Sequence, residues 1–284
     1  GFAATAVGVP VTLFTKGALD TFTEIESQLN KNTALLDGTK ADFEELKQLA
    51  TDLSKTTLFD PNTIAAGEEA LAASGMKLEE IKDTMSTVTL LAQATGEPMT
   101  AMSDILVSAL KQFGAGSDEA GKFGDVLAKA ANESIATIND IGEALKYAGN
   151  MSQVANKDIY EISAALAVMA NHGVRGTMAG TGIVEIFRAM SKISPRAMKA
   201  MKKYGLTPED IDPSKHSLEE LLTTFNEAKL EMKDLYRIFG AEAAPKVSAL
   251  ISDEGLQQYK DMLNKLKNES DGALQTFADA QSDS

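Results

Sequence analysis

The feature that most constrains this chain is a helical spacing of apolar residues, interrupted roughly every fifteen to twenty residues by a glycine or proline stop. Phe22, Ile25 and Leu29, for example, recur at steps of three and four residues and so share one helix face. No stretch of five to eight residues alternates apolar and polar side chains between turn signals. The sequence therefore predicts an all-α fold, a compact array of about a dozen short helices.

Start and stop signals place these helices along the chain. Thr39 with Asp42 and Ser217 with Glu220 have the spacing of capping boxes, and Asp60-Pro61 is a typical helix start. The expected helices are Val11–Asn30, one through Leu46–Leu53, one from Pro61 that Gly75 ends, Leu78–Thr95, Pro98–Phe113, Asp118–Ala131, Thr137–Ala148, Lys157–Asn171, Met178–Ser191, Pro195–Tyr204, Ser217–Glu231, Lys233–Phe239, Glu242–Ser252 and Gly255–Lys267.

A weak repeat suggests helical hairpins. The segment from Leu91 to Gly114 aligns with that from Leu127 to Gly149 at an offset of about thirty-five residues, the size of a helix pair. Gly75 and Gly173 follow similar apolar endings, so all four glycines are expected to stop helices in the left-handed conformation. The alternative remains open that unrelated helices share this punctuation.

Near-miss motifs do not support an enzyme. Gly116 to Lys122 has the spacing of a phosphate loop, but Phe123 stands where a metal-binding hydroxyl is needed. The glycines between Gly173 and Gly182 follow a helix and lack the dinucleotide-binding order, so a closely packed structural loop is expected there. We expect no cofactor and no catalytic residues.

Composition excludes further classes of site. The chain has no cysteine and only two histidines, which removes disulfides, thiolate metal sites and sites that need three histidines. A carboxylate site for a divalent cation remains open as a minor alternative. The net charge of -14 makes nucleic acid a poor principal partner, because the surface repels phosphate.

Positive charge is concentrated in one segment. Residues 175–203 contain seven basic residues and a single acid, a net charge of +6 that leaves -20 for the rest of the chain. We interpret the segment as a candidate docking face for an acidic protein surface, with a solvated basic helix as the alternative. The basic residues are Arg175, Arg188, Lys192, Arg196, Lys199, Lys202 and Lys203.

Several short motifs follow one another in order over roughly Lys16 to Lys265. They are Lys16–Phe22, Thr57–Asp60, Ala70–Gly75, Leu90–Thr95, Asp125–Asn132, Glu143–Tyr147, Ala164–Gly176, Ala179-Gly180-Thr181 and, weakly, Phe239-Gly240. As an ordered set these motifs resemble the core region of phage tail tape measure proteins.

The resemblance implies a structural virion protein that sets tail length and nucleates the tail tube. Its implied partners are tail tube, tail initiator or baseplate, and tail assembly chaperone proteins, with a homo-oligomer of three or six copies. It also implies location in the virion tail, and in the host cytoplasm during assembly. We expect no specific nucleic-acid binding, and membrane contact only through missing or N-terminal apolar segments.

The glycine and proline stops also predict how the chain is organised into domains. As one continuous helix the chain would be roughly 430 Å long, but these stops interrupt it every fifteen to twenty residues. We therefore expect a compact domain and not the extended helix that would measure the tail. We expect residues 1–14 to end an upstream apolar segment, residues 15–270 to form the helical core domain, and residues 271–284 to form a C-terminal helix or linker. A helical membrane-active effector, or a component of a tail-derived bacteriocin or injection particle, remains as an alternative.

Overall fold

The computed structural model describes residues 24–282, and this part of the chain is helical with no β-strand. The expectation of an all-α fold is confirmed. The helices are α1 (residues 24–35), α2 (Lys40–Thr56), α3 (Pro61–Ala73), α4 (Leu78–Thr95), α5 (Met99–Phe113), α6 (Ala120–Asn132), α7 (Ile138–Val154), α8 (Ile159–Asn171), α9 (Gly176–Ser191), α10 (Pro195–Lys202), α11 (Leu218–Glu227), α12 (Met232–Ile251), α13 (Asp253–Glu269) and α14 (Ala273–Ser282). The predicted lead-in 1–14, the motif Lys16–Phe22 and the start of the predicted helix Val11–Asn30 lie outside the described residues.

Local side-chain chemistry sets many of the helix starts. Thr39 accepts a hydrogen bond from the Asp42 amide, and the Asp42 carboxylate accepts one from the Thr39 amide. Ser217 and Glu220 form the same reciprocal pair at the start of α11. These reciprocal hydrogen bonds confirm both predicted capping boxes. Each box stabilises its helix start because it satisfies backbone amides that have no partner within the helix.

Glycine stops were predicted correctly at three of four positions. Gly75, Gly114 and Gly173 have φ angles of +89°, +69° and +84°, in the left-handed region where a side chain is strained. Gly149 was predicted wrongly, since α7 continues past it to Val154. A Cβ atom at Gly149 would lie 2.6 Å from Cβ of Gln112, so this glycine permits close packing of α7 against α5.

The prediction of a structural loop between Gly173 and Gly182 was wrong, because most of this stretch is helical. Gly180 and Gly182 lie inside α9, and Gly176 is its first residue. Glycine in a helix costs about 1 kcal/mol relative to alanine, so another interaction must offset it. At Gly180 a Cβ atom would lie 2.9 Å from the Ala144 Cα, which shows that the backbones of α9 and α7 touch.

The first helices form two layers. In one layer α3, α5, α7 and α9 lie side by side, and in the other α2, α4, α6 and α8 do. Hydrogen bonds between neighbours within a layer join residues separated by 34 to 42 positions, as in Lys111 to the Ser74 carbonyl and Lys146 to Asp104. Successive helix pairs therefore stack in parallel. The structure does not confirm the sequence repeat, because the glycines that end its two copies differ in position. Gly114 follows the last residue of α5, whereas Gly149 lies inside α7.

The C-terminal helices close the array. α12 packs on α9 and α8, α13 packs on α8, and α14 returns to α4 and α6. The Asp125 carboxylate accepts hydrogen bonds from the amides of Leu274 (2.9 Å) and Gly272 (3.0 Å), which fixes the start of α14. Gly240, with φ +83° and ψ 176°, breaks α12 between the two helices that its sequence predicts. These contacts position α10 and α12 side by side.

No helix between residues 24 and 282 is long and apolar enough to cross a membrane. Within the same residues, no group of three or more histidine and carboxylate side chains is arranged to hold a metal ion.

Candidate partner-docking surface

Helix α10 is short because its sequence specifies both its ends. The Ser194 hydroxyl accepts a hydrogen bond from the Ala197 amide (3.1 Å), and Pro195 takes the first helical position. Ala200 and Met201 are buried, so the helix is held down by a narrow apolar face. Ala197 is buried with them, and the other positions of the helix, which include three of the seven basic residues of the segment, are exposed.

A buried carboxylate anchors α10 to α12. Asp234 is fully buried, and its Oδ2 atom accepts hydrogen bonds from Lys203 Nζ (2.5 Å) and the Tyr204 hydroxyl (2.8 Å). Its Oδ1 atom accepts from Arg237 (2.6 Å). The hydrogen bond from Lys203, followed by those from Arg237 and Tyr204, holds the pKa of Asp234 well below its usual range despite its burial. Asp234 is therefore ionised at neutral pH and orients two cations.

These two helices enclose an open groove of about 620 Å³. We call it the basic groove and define it by five cationic residues, Arg196, Lys199, Lys202, Lys203 and Arg237, with Ala200 also in its lining. Because Asp234 neutralises part of the charge of Lys203 and Arg237 from below, the strongest uncompensated charge comes from the other three residues.

Those three cations have no counter-ion in the described chain. Between residues 24 and 282, Arg196, Lys199 and Lys202 make no ion pair, and all three are exposed. The single acid of the basic segment, Glu185, pairs with Lys246 and not with these three residues. The basic groove is thus a cationic concavity that the fold itself does not neutralise.

The structure distributes the predicted docking residues unequally. Arg196, Lys199, Lys202 and Lys203 line the groove, whereas Arg188 and Lys192 lie exposed at the C-terminal end of α9. Arg175 caps the other end of this sixteen-residue helix, about 24 Å away by helix rise, near Asp140 (3.8 Å). Their role in docking stays a prediction.

Sequence reasoning missed Arg237. It follows Asp234 by three residues on one helix, a spacing that by itself indicates only a local ion pair. The local spacing does not indicate that Asp234 and Arg237 pack against α10. Only the tertiary contact between α10 and α12 shows that Arg237 belongs to the same surface as Lys203.

The predicted structural motif residues lie at helix contacts and ends. Ala179 and Gly180 are buried, Gly180 against α7, while the Thr181 hydroxyl is exposed and donates to the Thr177 carbonyl (2.9 Å). Phe239 packs edge-on against Phe225, with ring centroids 5.2 Å apart. Gly176 has φ +58°.

Comparison with known families decides the identity of the chain. The family model of the phage-related minor tail protein matches residues 47–237, about two thirds of the chain, including the whole basic segment. The chain belongs to the phage-related minor tail protein family.

Curated relatives of this phage tail protein carry a consistent name. The chain is 28% identical over 285 residues to the tape measure protein of Pneumococcus phage Dp-1, covering 98% of the chain and 25% of that protein. It is 23% identical over 220 residues to the probable tape measure protein of Escherichia phage P2, covering 75% of the chain and 27% of the relative. It is 22% identical over 278 residues to a probable tape measure protein of Clostridium phage phiCD119, covering 90% of the chain and 28% of the relative.

The chain therefore spans about a quarter of the length of these relatives. No solved structure matches it. The resemblance to tape measure proteins that the sequence motifs indicate is confirmed, and the chain is a structural component of the phage tail by family.

Proposed function

We propose that this chain is a folded domain of a tape measure protein, which nucleates tail assembly through protein contacts while helical regions elsewhere in the protein set the tail length. Its partners are the tail tube, the tail initiator or baseplate and the tail assembly chaperone. It acts as a homo-oligomer, first in the host cytoplasm and then in the virion tail. The role is structural and requires no catalytic group.

The observation that carries this proposal is the folding of the chain into stacked short helices. The longest described helix, α12, has twenty residues and is broken at Gly240. As one uninterrupted helix, residues 24–282 would span about 390 Å, far more than a stack of helices of this length. A domain that returns on itself adds little length per residue, so its contribution to the tail is contact rather than span.

Deletion of residues 24–282 from the complete tape measure protein is expected to abolish or sharply reduce tail formation rather than shorten the tail. The physical reason is that a nucleating contact is lost as a whole, whereas ruler residues are lost in proportion to their number. Electron microscopy of lysates would give both the yield and the length of tails.

The control removes the same number of residues from a helical region outside this domain. There we expect tails in normal yield that are shorter by about 390 Å, from 1.5 Å per residue. Two results of deleting residues 24–282 would contradict the proposal. One is a normal yield of tails that are shortened as in the control, and the other is tails of unchanged length and yield.

A further inference from the structure

We propose that the basic groove between α10 and α12 binds a short acidic segment of a protein partner, of one to two helical turns. The inference deepens the proposed function by assigning the contact surface and the chemistry of its occupant. It is carried by charge, by the size of the groove and by the apolar part of its lining.

The charge argument rests on three cations that the fold leaves unneutralised and on two that the buried Asp234 carboxylate orients. Arg196 and Lys199 are three residues apart on the short helix α10, and Lys203 lies four residues further, so their side chains share one face. Asp234 holds Lys203 and Arg237 in position, which lowers the conformational entropy lost when a ligand binds. Carboxylates spaced three and four residues apart on a partner helix match this pattern.

The size of the groove limits how much of a partner helix it can hold. One turn of helix with its side chains, about 10 Å across and 5.4 Å long, fills roughly 420 Å³. The groove is open to solvent and holds about 620 Å³, so one to two turns of a partner helix fit within it at a time. A segment of that length presents two or three carboxylates at once.

The lining of the groove also has an apolar part, which favours a peptide over a phosphate ligand. Ala200 lies among the cations, and the aliphatic stems of the lysine and arginine side chains line the groove around it. Such surface packs against the apolar parts of a partner peptide, whereas a phosphate ligand has no comparable group to bury there.

The surrounding charge also disfavours nucleic acid. Outside residues 175–203 the chain carries a net charge of -20. One turn of duplex DNA is about 34 Å long, so a duplex seated in the groove would extend over this acidic surface and be repelled by it. A short acidic segment stays within the cationic area.

Binding of a defined peptide tests the proposal. The probe is a fluorescein-labelled twelve-residue helical peptide with glutamates at steps of three and four, measured by anisotropy against the full chain. A peptide with glutamine at the same positions is the ligand control. We expect the glutamate peptide to bind, with affinity falling as salt rises, and the glutamine peptide to bind at least tenfold more weakly.

Two variants with the same charge change locate the site. Arg196→Gln, Lys199→Gln and Lys202→Gln together are expected to weaken peptide binding at least tenfold. Lys40→Gln, Lys77→Gln and Lys267→Gln remove three exposed charges elsewhere and are expected to change it less than twofold. Lys203 is left unchanged because it pairs with buried Asp234. Circular dichroism and the melting temperature verify that each variant is folded.

Several outcomes would overturn the proposal: no peptide binding by the parent chain, an equal loss in both variants, or tighter binding of tripolyphosphate or of a twenty-base-pair duplex to the groove than of the peptide. The assay uses no tails, so its failure is distinguishable from failure of the deletion experiment.

Discussion

Replacing Gly180 with alanine is expected to lower the free energy of unfolding by about 2–3 kcal/mol, although alanine is the better helix former. The added Cβ atom would contact the Ala144 carbonyl oxygen and lie 2.9 Å from the Ala144 Cα and 3.0 Å from its carbonyl carbon. All three atoms belong to the backbone of α7. They cannot rotate away as the end of a side chain can, so α9 has to move.

The effect reaches beyond one contact because α7 lies between two neighbours. On its other side, a Cβ atom at Gly142 would meet Ile105 of α5, so α7 cannot shift freely away from α9. Interiors packed at crystal-like density transmit such a displacement rather than absorb it. Displacing α9 also disturbs α12, which packs on it.

Gly121→Ala is the matched control. Gly121 also lies in a helix, but nothing is within 4 Å of the position that its Cβ atom would occupy. We expect this change to raise the free energy of unfolding by about 0.5 kcal/mol through the lower entropy of the unfolded chain. Urea unfolding followed by circular dichroism would give both values. Equal effects of the two substitutions would contradict the close approach of α7 and α9.

Glu68→Gln is expected to remove a loss of stability that the parent chain undergoes as pH rises. Glu68 is fully buried in α3, and burial raises its pKa from 4.5 to about 8. The Asn32 side chain opposes this shift only in part, since its amide donates to the Ala65 carbonyl (2.9 Å). The carboxyl group is therefore protonated in the folded protein at neutral pH.

The direction of the pH effect follows from proton binding. Between pH 4.5 and 8 the folded chain retains the Glu68 proton while the unfolded chain releases it, so stability falls as pH rises. At 1.36 kcal/mol per pH unit, the loss between pH 4.5 and pH 7 is about 3 kcal/mol. Glutamine is neutral in both states, so the variant should show a flat profile over that range and exceed the parent in stability at pH 8.

Neighbouring Glu69 provides a control of opposite sign. A hydrogen bond from Lys31, and then one from Gln28, lowers the pKa of Glu69 below its usual value. Its contribution to stability is thus present above the unfolded pKa and is lost as pH falls through the lowered value. Melting temperatures from pH 5 to pH 8 should show that Glu69→Gln keeps the decline of the parent, whereas a decline that persists in Glu68→Gln would refute the assignment to Glu68.

Helix starts and most stops could be predicted because their determinants are local. The Thr39 capping box is complete within four residues, and Gly75 ends its helix through its own backbone angle. The break at Gly240 was predicted for the same reason. The basic segment could also be recognised, since seven cations in one stretch are visible without any fold.

Gly149 and Gly180 could not be assigned in this way. A glycine that stops a helix and a glycine that admits a neighbouring backbone look identical in sequence, and only the position of α5 or α7 distinguishes them. The same limit applies to the docking surface. Whether Arg175 joins Lys199 in one site depends on the length and direction of α9 between them.

By itself the sequence determined the all-α class, the capping boxes and the concentration of positive charge, because each depends on residues within a few positions of one another. Only the tertiary structure decided that Arg237 joins Lys203 on the buried Asp234, and that α10 and α12 enclose a groove. The partners in these contacts are about thirty residues apart in sequence. Contacts at that distance are set by how whole helices pack, and no local periodicity records that arrangement.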